Sequence, residues 1–272
     1  ATGYGADLGT AWFDIIEPFA DYAFNRSHAY GYGLVAYQTA FLKANYPAEY
    51  LSALLTSVKS SLEKAAIYLA ECRAMGIEVT VPDVNRSLSD FAPVLAQPNG
   101  DGATADAGAS QILFGLSAVR NVGAGLVEFI LEARDDGGPY EDFYDFCQRV
   151  NTQVLNKRTT ESLIKAGGFD SMGHPRQGLL TVFEQIVDAT IARRKEHDMG
   201  VMSLFGEAED GPAFDEKVKI PDVEFEKKQR LAFEKEMLGL YVSDHPLLGA
   251  EQALKRKVDC TILELNDLDD GT

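Results

Sequence analysis

Asn25-Arg26-Ser27-His28 sets an amide, a guanidinium, a hydroxyl and an imidazole side by side in a short polar break between two apolar helical runs. Such a group can donate several hydrogen bonds at the mouth of a helix, where free backbone N–H groups and the dipole already favour an anion. Phosphate suits that chemistry, and so does the plainer alternative of an ordinary helix start capped by serine. A second candidate is Val122-Gly123-Ala124-Gly125. Its glycines permit a tight turn with positive φ and let a sugar-phosphate backbone approach the first N–H groups of the next helix. A plain helix hairpin closed by glycines has the same spelling. Lys157, Arg158 and Lys165 could add charge to a phosphate grip, or could simply be solvated.

The run from Phe24 to Tyr50, FNRSHAYGYGLVAYQTAFLKANYPAEY, resembles the fingers region of bacterial C-family replicative DNA polymerases, the polymerase III alpha subunits. That pattern reads FN[K/R]SHAxxY and then YQTAxLKAxYPxEF. Phe24 to Ala29, Tyr37, Gln38, Thr39, Leu42, Lys43, Tyr46, Pro47 and Glu49 stand in it here. The resemblance implies that Asn25, Arg26, Ser27 and His28 lie over the incoming nucleotide, with Arg26 and His28 facing its triphosphate and Ser27 capping the following helix. LSAVRNVGAGLVEFILEAR, residues 116–134, resembles a helix-hairpin-helix element, in which Val122, Gly123, Ala124 and Gly125 would grip duplex DNA through its phosphates without reading bases. The stretch from Asn156 to Gly173 resembles the family's NKR…LIKAGAFDxLG segment, which adds Lys157 and Arg158 to the DNA contacts.

Val201-Met202-Ser203-Leu204-Phe205 is an apolar island in an aperiodic, acidic stretch, and exposed Leu-Phe there is a liability unless a partner buries it. The island resembles the Q-L-[S/D]-L-F peptides with which bacterial polymerases bind a sliding clamp. It matches at Ser203, Leu204 and Phe205, roughly at Met202, and departs at Val201, where the pattern has Gln; the departure lowers the expected affinity. LGLYVSDHPL, residues 238–247, resembles the segment that precedes the family's OB-fold domain. Phosphoryl transfer of the polymerase type needs carboxylates holding two Mg²⁺ ions. In the family those carboxylates come from a palm upstream of the fingers. Asp267, Asp269 and Asp270 lie in a terminal acidic stretch with no strand framing and read as solvated tail. The resemblance thus implies Mg²⁺ in the full enzyme, no metal held by this stretch, and no catalysis by it alone.

The elements that must position these groups are mostly helical. Trp12, Ile15, Ile16, Phe19 and Tyr22 form the stripe of an amphipathic helix interrupted by Pro18. Tyr30, Leu34, Tyr37 and Phe41 line one face of a second helix, thinned by Gly31 and Gly33, either for close packing or for a ligand. Pro47 suits the first turn of a third. Ser60 and Glu63 have capping-box spacing before a helix that runs to about Met75 and stops at Gly76. Ile77 to Val81 reads as a strand, residues 97–110 as a flexible loop, and Gln111 to Gly115 as a strand able to pair with Phe91 to Leu95. Two helical runs flank Val122 to Gly125, a long helix spans about Pro175 to Arg194, and a charged helix spans Glu224 to Leu238. The expected fold is mainly α: a helical fingers unit with a few short strands (1–110), a tandem helix-hairpin-helix-like domain (111–197), and an extended acidic tail (198–272) leading to an OB-fold domain.

A length of 272 residues, 46% hydrophobic and 25% charged, suits a globular chain of roughly two domains. No apolar run approaches the ~20 residues that span a bilayer, so no membrane role is expected. Cys72, Cys147 and Cys260, and His28, His174, His197 and His245, have neither disulfide-framework nor metal-ligand spacing, which fits a reducing cytoplasm. The chain opens on Ala1 rather than Met, as an excised piece of a longer protein would. A net charge of −17 is unusual for a DNA binder. Residues 198–272 carry 9 basic and 18 acidic side chains, and residues 1–197 carry 16 and 24. Any DNA contact must therefore be local and backbone-mediated, or be helped by other parts of the protein. The expected partners are duplex primer-template DNA, deoxynucleoside triphosphates, a sliding clamp and other replicase subunits. Two rivals are a non-catalytic helix-hairpin-helix DNA-binding protein, and a helical interaction protein that presents the Leu204-Phe205 peptide.

Overall fold

The computed structural model describes residues 5–20, 26–94, 111–198, 218–244 and 256–258. Helix α1 (Ala6–Ala20) runs through Pro18 rather than breaking there. Helix α2 (Arg26–Asn45) carries the expected Tyr30, Leu34, Tyr37 and Phe41 face. That face points outward, with Tyr30 82% and Tyr37 68% exposed, as do Trp12, Phe13, Ile15 and Ile16 of α1. Helix α3 (Pro47–Ser57) buries Leu51 and Leu55 and opens with proline in its first turn.

Helix α4 (Leu62–Ala74) starts after Ser61, whose side chain makes no capping bond, so the expected Ser60–Glu63 box is not formed. Its other end closes as expected: Gly76 takes φ +71°, the Ile77 N–H reaches Cys72 O at 2.8 Å, and the Gly76 N–H reaches Arg73 O at 3.1 Å. This is the paired bond pattern of a helix stopped by a left-handed glycine. Strand β1 (Glu78–Thr80) follows, then β2 (Ala92–Val94) and β3 (Gln111–Leu113), in the order β1-β3-β2. β3 is antiparallel to β2, with Pro93 opposite Ile112, and parallel to β1, with Val79 opposite Ile112. The sheet therefore joins strands from both sides of residue 110, where composition suggests a boundary. The buried cluster runs on from Ala48 to Leu238.

Beyond β3 come a 3-10 turn (Leu116–Ala118), α5 (Ala124–Gly137), α6 (Phe143–Arg149), α7 (Lys157–Ala166) and α8 (Arg176–Asp198). Phe143, Phe146 and Phe169 are fully buried among them. The Phe169 ring stands edge-on to both of the others, at 5.1 and 4.9 Å between centroids. Edge-to-face geometry of this kind adds to the area the rings remove from water. Helix α9 (Lys227–Leu238) packs on α7, and its C-terminal turn enters the same cluster through Met237 and Leu238.

One charged group is sealed in this packing. Arg176, 3% exposed, donates to Asp170 through Nη2 at 2.6 Å and to the fully buried Glu234 of α9 through Nη1 at 3.1 Å. Glu234 in turn accepts from the Ser243 hydroxyl at 2.8 Å and from the Ser243 N–H at 3.2 Å. Removing one member of a buried pair strands the other, at a cost of about 3–5 kcal/mol. Arg176→Met should lower the denaturation midpoint followed by far-ultraviolet circular dichroism by that order, and adding Glu234→Leu should recover much of it. A midpoint unmoved by Arg176→Met would show that the pair does not hold α9.

Candidate nucleic-acid interface

The turn from Val119 to Gly123 is built on two buried valines, Val119 and Val122, with the Val122 N–H bonded to Val119 O at 3.1 Å. The residue in it with positive φ is Asn121, at +65°, not either glycine as expected: Gly123 sits at φ −79° and Gly125 lies inside α5. From Leu116 to the turn the chain forms a short 3-10 turn rather than the expected helix, after the expected strand β3. The two glycines do something else. Gly123 is the N-cap of α5 and offers no side chain to the helix start. The first bonds of α5 run from the Leu126 and Val127 N–H groups to Gly123 O at 3.0 and 3.1 Å. The N–H groups of Gly123, Ala124 and Gly125 have no partner among the described residues. A Cβ built on Gly123 or Gly125 would meet nothing within 4 Å, so this helix start is open to a large ligand.

Helix α7 starts differently. The Asn156 side chain caps it, accepting the Thr159 N–H at 2.8 Å, so its first turn has fewer free donors to offer. What it can offer is charge. The expected contact Lys157 bonds Glu184 at 2.8 Å and Asp188 at 3.1 Å on α8. Those hydrogen bonds, Glu184 first, raise its pKa above the ordinary lysine value. Lys165 pairs with Glu161 at 2.7 Å and lies over the Phe233 ring. Arg158 is exposed and has no ion-pair partner among the described residues. Arg120, passed over in the sequence reading, is exposed and unpaired in the same way, while its N–H bonds Met237 O at 2.9 Å. The signal that could have found it was its place one residue before the turn.

The turn and the start of α7 are in contact. Asn121 Nδ2 donates to Ser162 Oγ at 2.9 Å, and Thr159 Oγ1 donates to Asn121 O at 3.1 Å. Unsatisfied amides at one helix start thus lie beside a second helix start with an exposed guanidinium. That arrangement can hold a phosphate without recognising what the phosphate carries.

The other expected sites fare unevenly. Arg26, Ser27 and His28 form the first turn of α2, so Ser27 stands within the helix rather than capping it. Asn25 lies outside the described residues, as do Met202, Ser203, Leu204 and Phe205 of the clamp-like peptide and Asp267, Asp269 and Asp270. Among the described residues no group of three or more His, Cys, Asp and Glu could hold a metal ion. No described helix is long and apolar enough to cross a membrane.

The fold and the turn define the class: a family profile described as a helix-hairpin-helix motif matches residues 76–179, from β1 into α8. Relatives align over nearly the whole chain. The DNA polymerase III subunit alpha of Mycobacterium tuberculosis strain H37Rv is 48% identical over 274 residues, covering 99% of this chain and 22% of its own length. Those of Thermus aquaticus and Pseudomonas aeruginosa are 41% and 38% identical, covering 94% and 97% of this chain and 19% and 23% of theirs. Over the stretch it spans, the chain is similar throughout to bacterial DNA polymerase III alpha subunits. It spans about a fifth of the length of these curated relatives.

Proposed function

We propose that this chain is the part of a bacterial replicative DNA polymerase that covers the incoming nucleotide, grips the backbone of the primer-template duplex and tethers the enzyme to a sliding clamp. The whole protein would extend primers from deoxynucleoside triphosphates, with Mg²⁺ held by palm carboxylates outside these residues. The observation that carries the reading is the open start of α5, whose free amides lie in a turn bonded to the first turns of α7 and its exposed Arg158. In a chain of net charge −17, long-range attraction to DNA is absent, so donors concentrated at one place are what binding requires. The rival of a non-catalytic helix-hairpin-helix protein accounts for Gly123 and Gly125 but not for the polymerase-like run from Phe24 to Tyr50.

The DNA contact is tested by substitutions that the fold tolerates. Gly125→Val fills empty space within a helix, so it should leave the fold intact while blocking the approach of a phosphate. In duplex titrations it should weaken binding for every sequence alike. Arg158→Ala should reduce the log–log salt slope by about 1, and Lys157→Ala, whose charge is already engaged by α8, should change it less. Parental affinity in a folded Gly125→Val protein would make the turn merely structural.

Arg26 and His28 are proposed to meet the triphosphate from the first turn of α2, where the dipole favours negative charge. Arg26→Ala in the full-length polymerase should raise the KM for nucleotide ~10-fold, the loss of a charge-assisted contact worth roughly 1.5–3 kcal/mol. Unchanged KM and kcat would remove Arg26 from the nucleotide site.

Met202, Leu204 and Phe205 are proposed to enter an apolar pocket of the sliding clamp, with affinity reduced by Val201 in place of Gln. A peptide spanning residues 198–206 should bind the cognate clamp, and Leu204→Ala with Phe205→Ala should cost about 2 kcal/mol or more per anchor. Equal binding by the doubly substituted peptide would argue against this role.

A further inference from the structure

We propose that Asn121 is a positioning residue: it fixes the Val119–Gly123 turn to the first turns of α7, so that the free amides of α5 and the Arg158 guanidinium meet one stretch of DNA backbone together. The proposal rests on the DNA-binding reading above and adds to it the part that sets the geometry. Asn121 is the one non-glycine residue with positive φ among the described residues. Asparagine is among the side chains that tolerate the left-handed region, yet such a conformation persists only where the surroundings over-determine it.

Here they do so from both sides. The Asn121 amide donates to Ser162 Oγ at 2.9 Å, and that hydroxyl, in a residue 2% exposed, donates onward to the carbonyl of Arg158 at 2.8 Å. The Asn121 carbonyl accepts from Thr159 Oγ1 at 3.1 Å, and the Thr159 N–H is held by the Asn156 cap at 2.8 Å. Arg158 is thus bracketed: its carbonyl accepts from the Ser162 hydroxyl that holds the Asn121 amide, and the hydroxyl of its neighbour Thr159 donates to the Asn121 carbonyl. On the far side of Asn121, the Arg120 N–H is pinned to Met237 O at 2.9 Å. Glycine at this position could take the same backbone angle but could not make the side-chain link. The amide group is therefore what a positioning role requires, beyond the turn itself.

This separation makes the role testable in the full-length protein. Asn121→Gly keeps the left-handed backbone and removes only the link; Ser162→Ala removes the same link from the other helix. Each should weaken binding to a primer-template duplex about 3- to 10-fold, the loss that accompanies one neutral hydrogen bond. A double-mutant cycle supplies a readout that a merely structural role would not move. With Asn121→Gly present, Arg158→Ala should cost less than it does alone, because the guanidinium is no longer held on the shared backbone. Parental affinity in both link variants would overturn the proposal, and so would losses that simply multiply in the cycle. If Arg158→Ala and Gly125→Val also bind as the parent does, it is the DNA-binding reading itself that fails.

Discussion

A guanidinium taken out of water must find anionic partners, and Arg176 finds them on separate parts of the chain: Asp170 just beyond α7 and Glu234 in the middle of α9. Breaking the contact with the fully buried Glu234 would leave a charge in the core, and the Asp170 contact ties the same guanidinium to the end of α7, so the C-terminal end of α7, the start of α8 and α9 are held in one arrangement. Arg176 Nη1 also reaches the Lys165 carbonyl near the end of α7, at 3.3 Å, and Ser243 extends the network to the residues after α9. Helix α7 is thus fixed at its C-terminal end by charge and at its N-terminal end by Asn121. The open start of α5 inherits that rigidity. The Arg120 N–H bonded to Met237 ties the turn to α9 as well, the helix that the Arg176–Glu234 pair anchors.

The chain's acidity gives this arrangement its meaning. With 42 acidic against 25 basic side chains, the summed field repels a polyanion. Several cations are spent internally: Lys157 on α8, Lys165 on Glu161, and, at the far end of α5, Arg134 on the carbonyls of Val84 and Ser87 and Arg149 on the carbonyls of Ala133 and Gly138. What remains free is small and local, the amides of the α5 start with Arg120 and Arg158 beside them. Oriented dipoles of this sort bind phosphate without needing excess charge. Such contacts to phosphate read no bases, which suits the proposed sequence-independent grip.

Much of this was legible in the residues. Gly76 as a helix stop, the strands at 78–80, 92–94 and 111–113, and the pairing of the last two all follow from turn chemistry and β-branched patterning. The glycine pair was legible as a place where a backbone could come close, but not for the reason its spelling suggests. The left-handed angle belongs to Asn121, because tertiary bonds to Thr159 and Ser162 hold it there, and single-sequence patterns do not carry such bonds. The same limit hid the pairing of Lys157 with Glu184 and Asp188, which lie 27 and 31 residues away in sequence, and left Arg120 unremarked. The α1 and α2 stripes were read correctly as helices. Period alone does not say what covers a stripe, and within these residues both faces remain exposed.

The proposed grip requires that the backbone at the start of α5 touch duplex phosphate. Amide hydrogen exchange in the full-length protein, resolved at Gly123, Ala124 and Gly125, tests it most directly. Adding primer-template duplex at low salt should slow exchange at these amides whatever the DNA sequence, and raising the salt should restore the original rates. Unchanged exchange at all of them, with the duplex demonstrably bound, would contradict the claim.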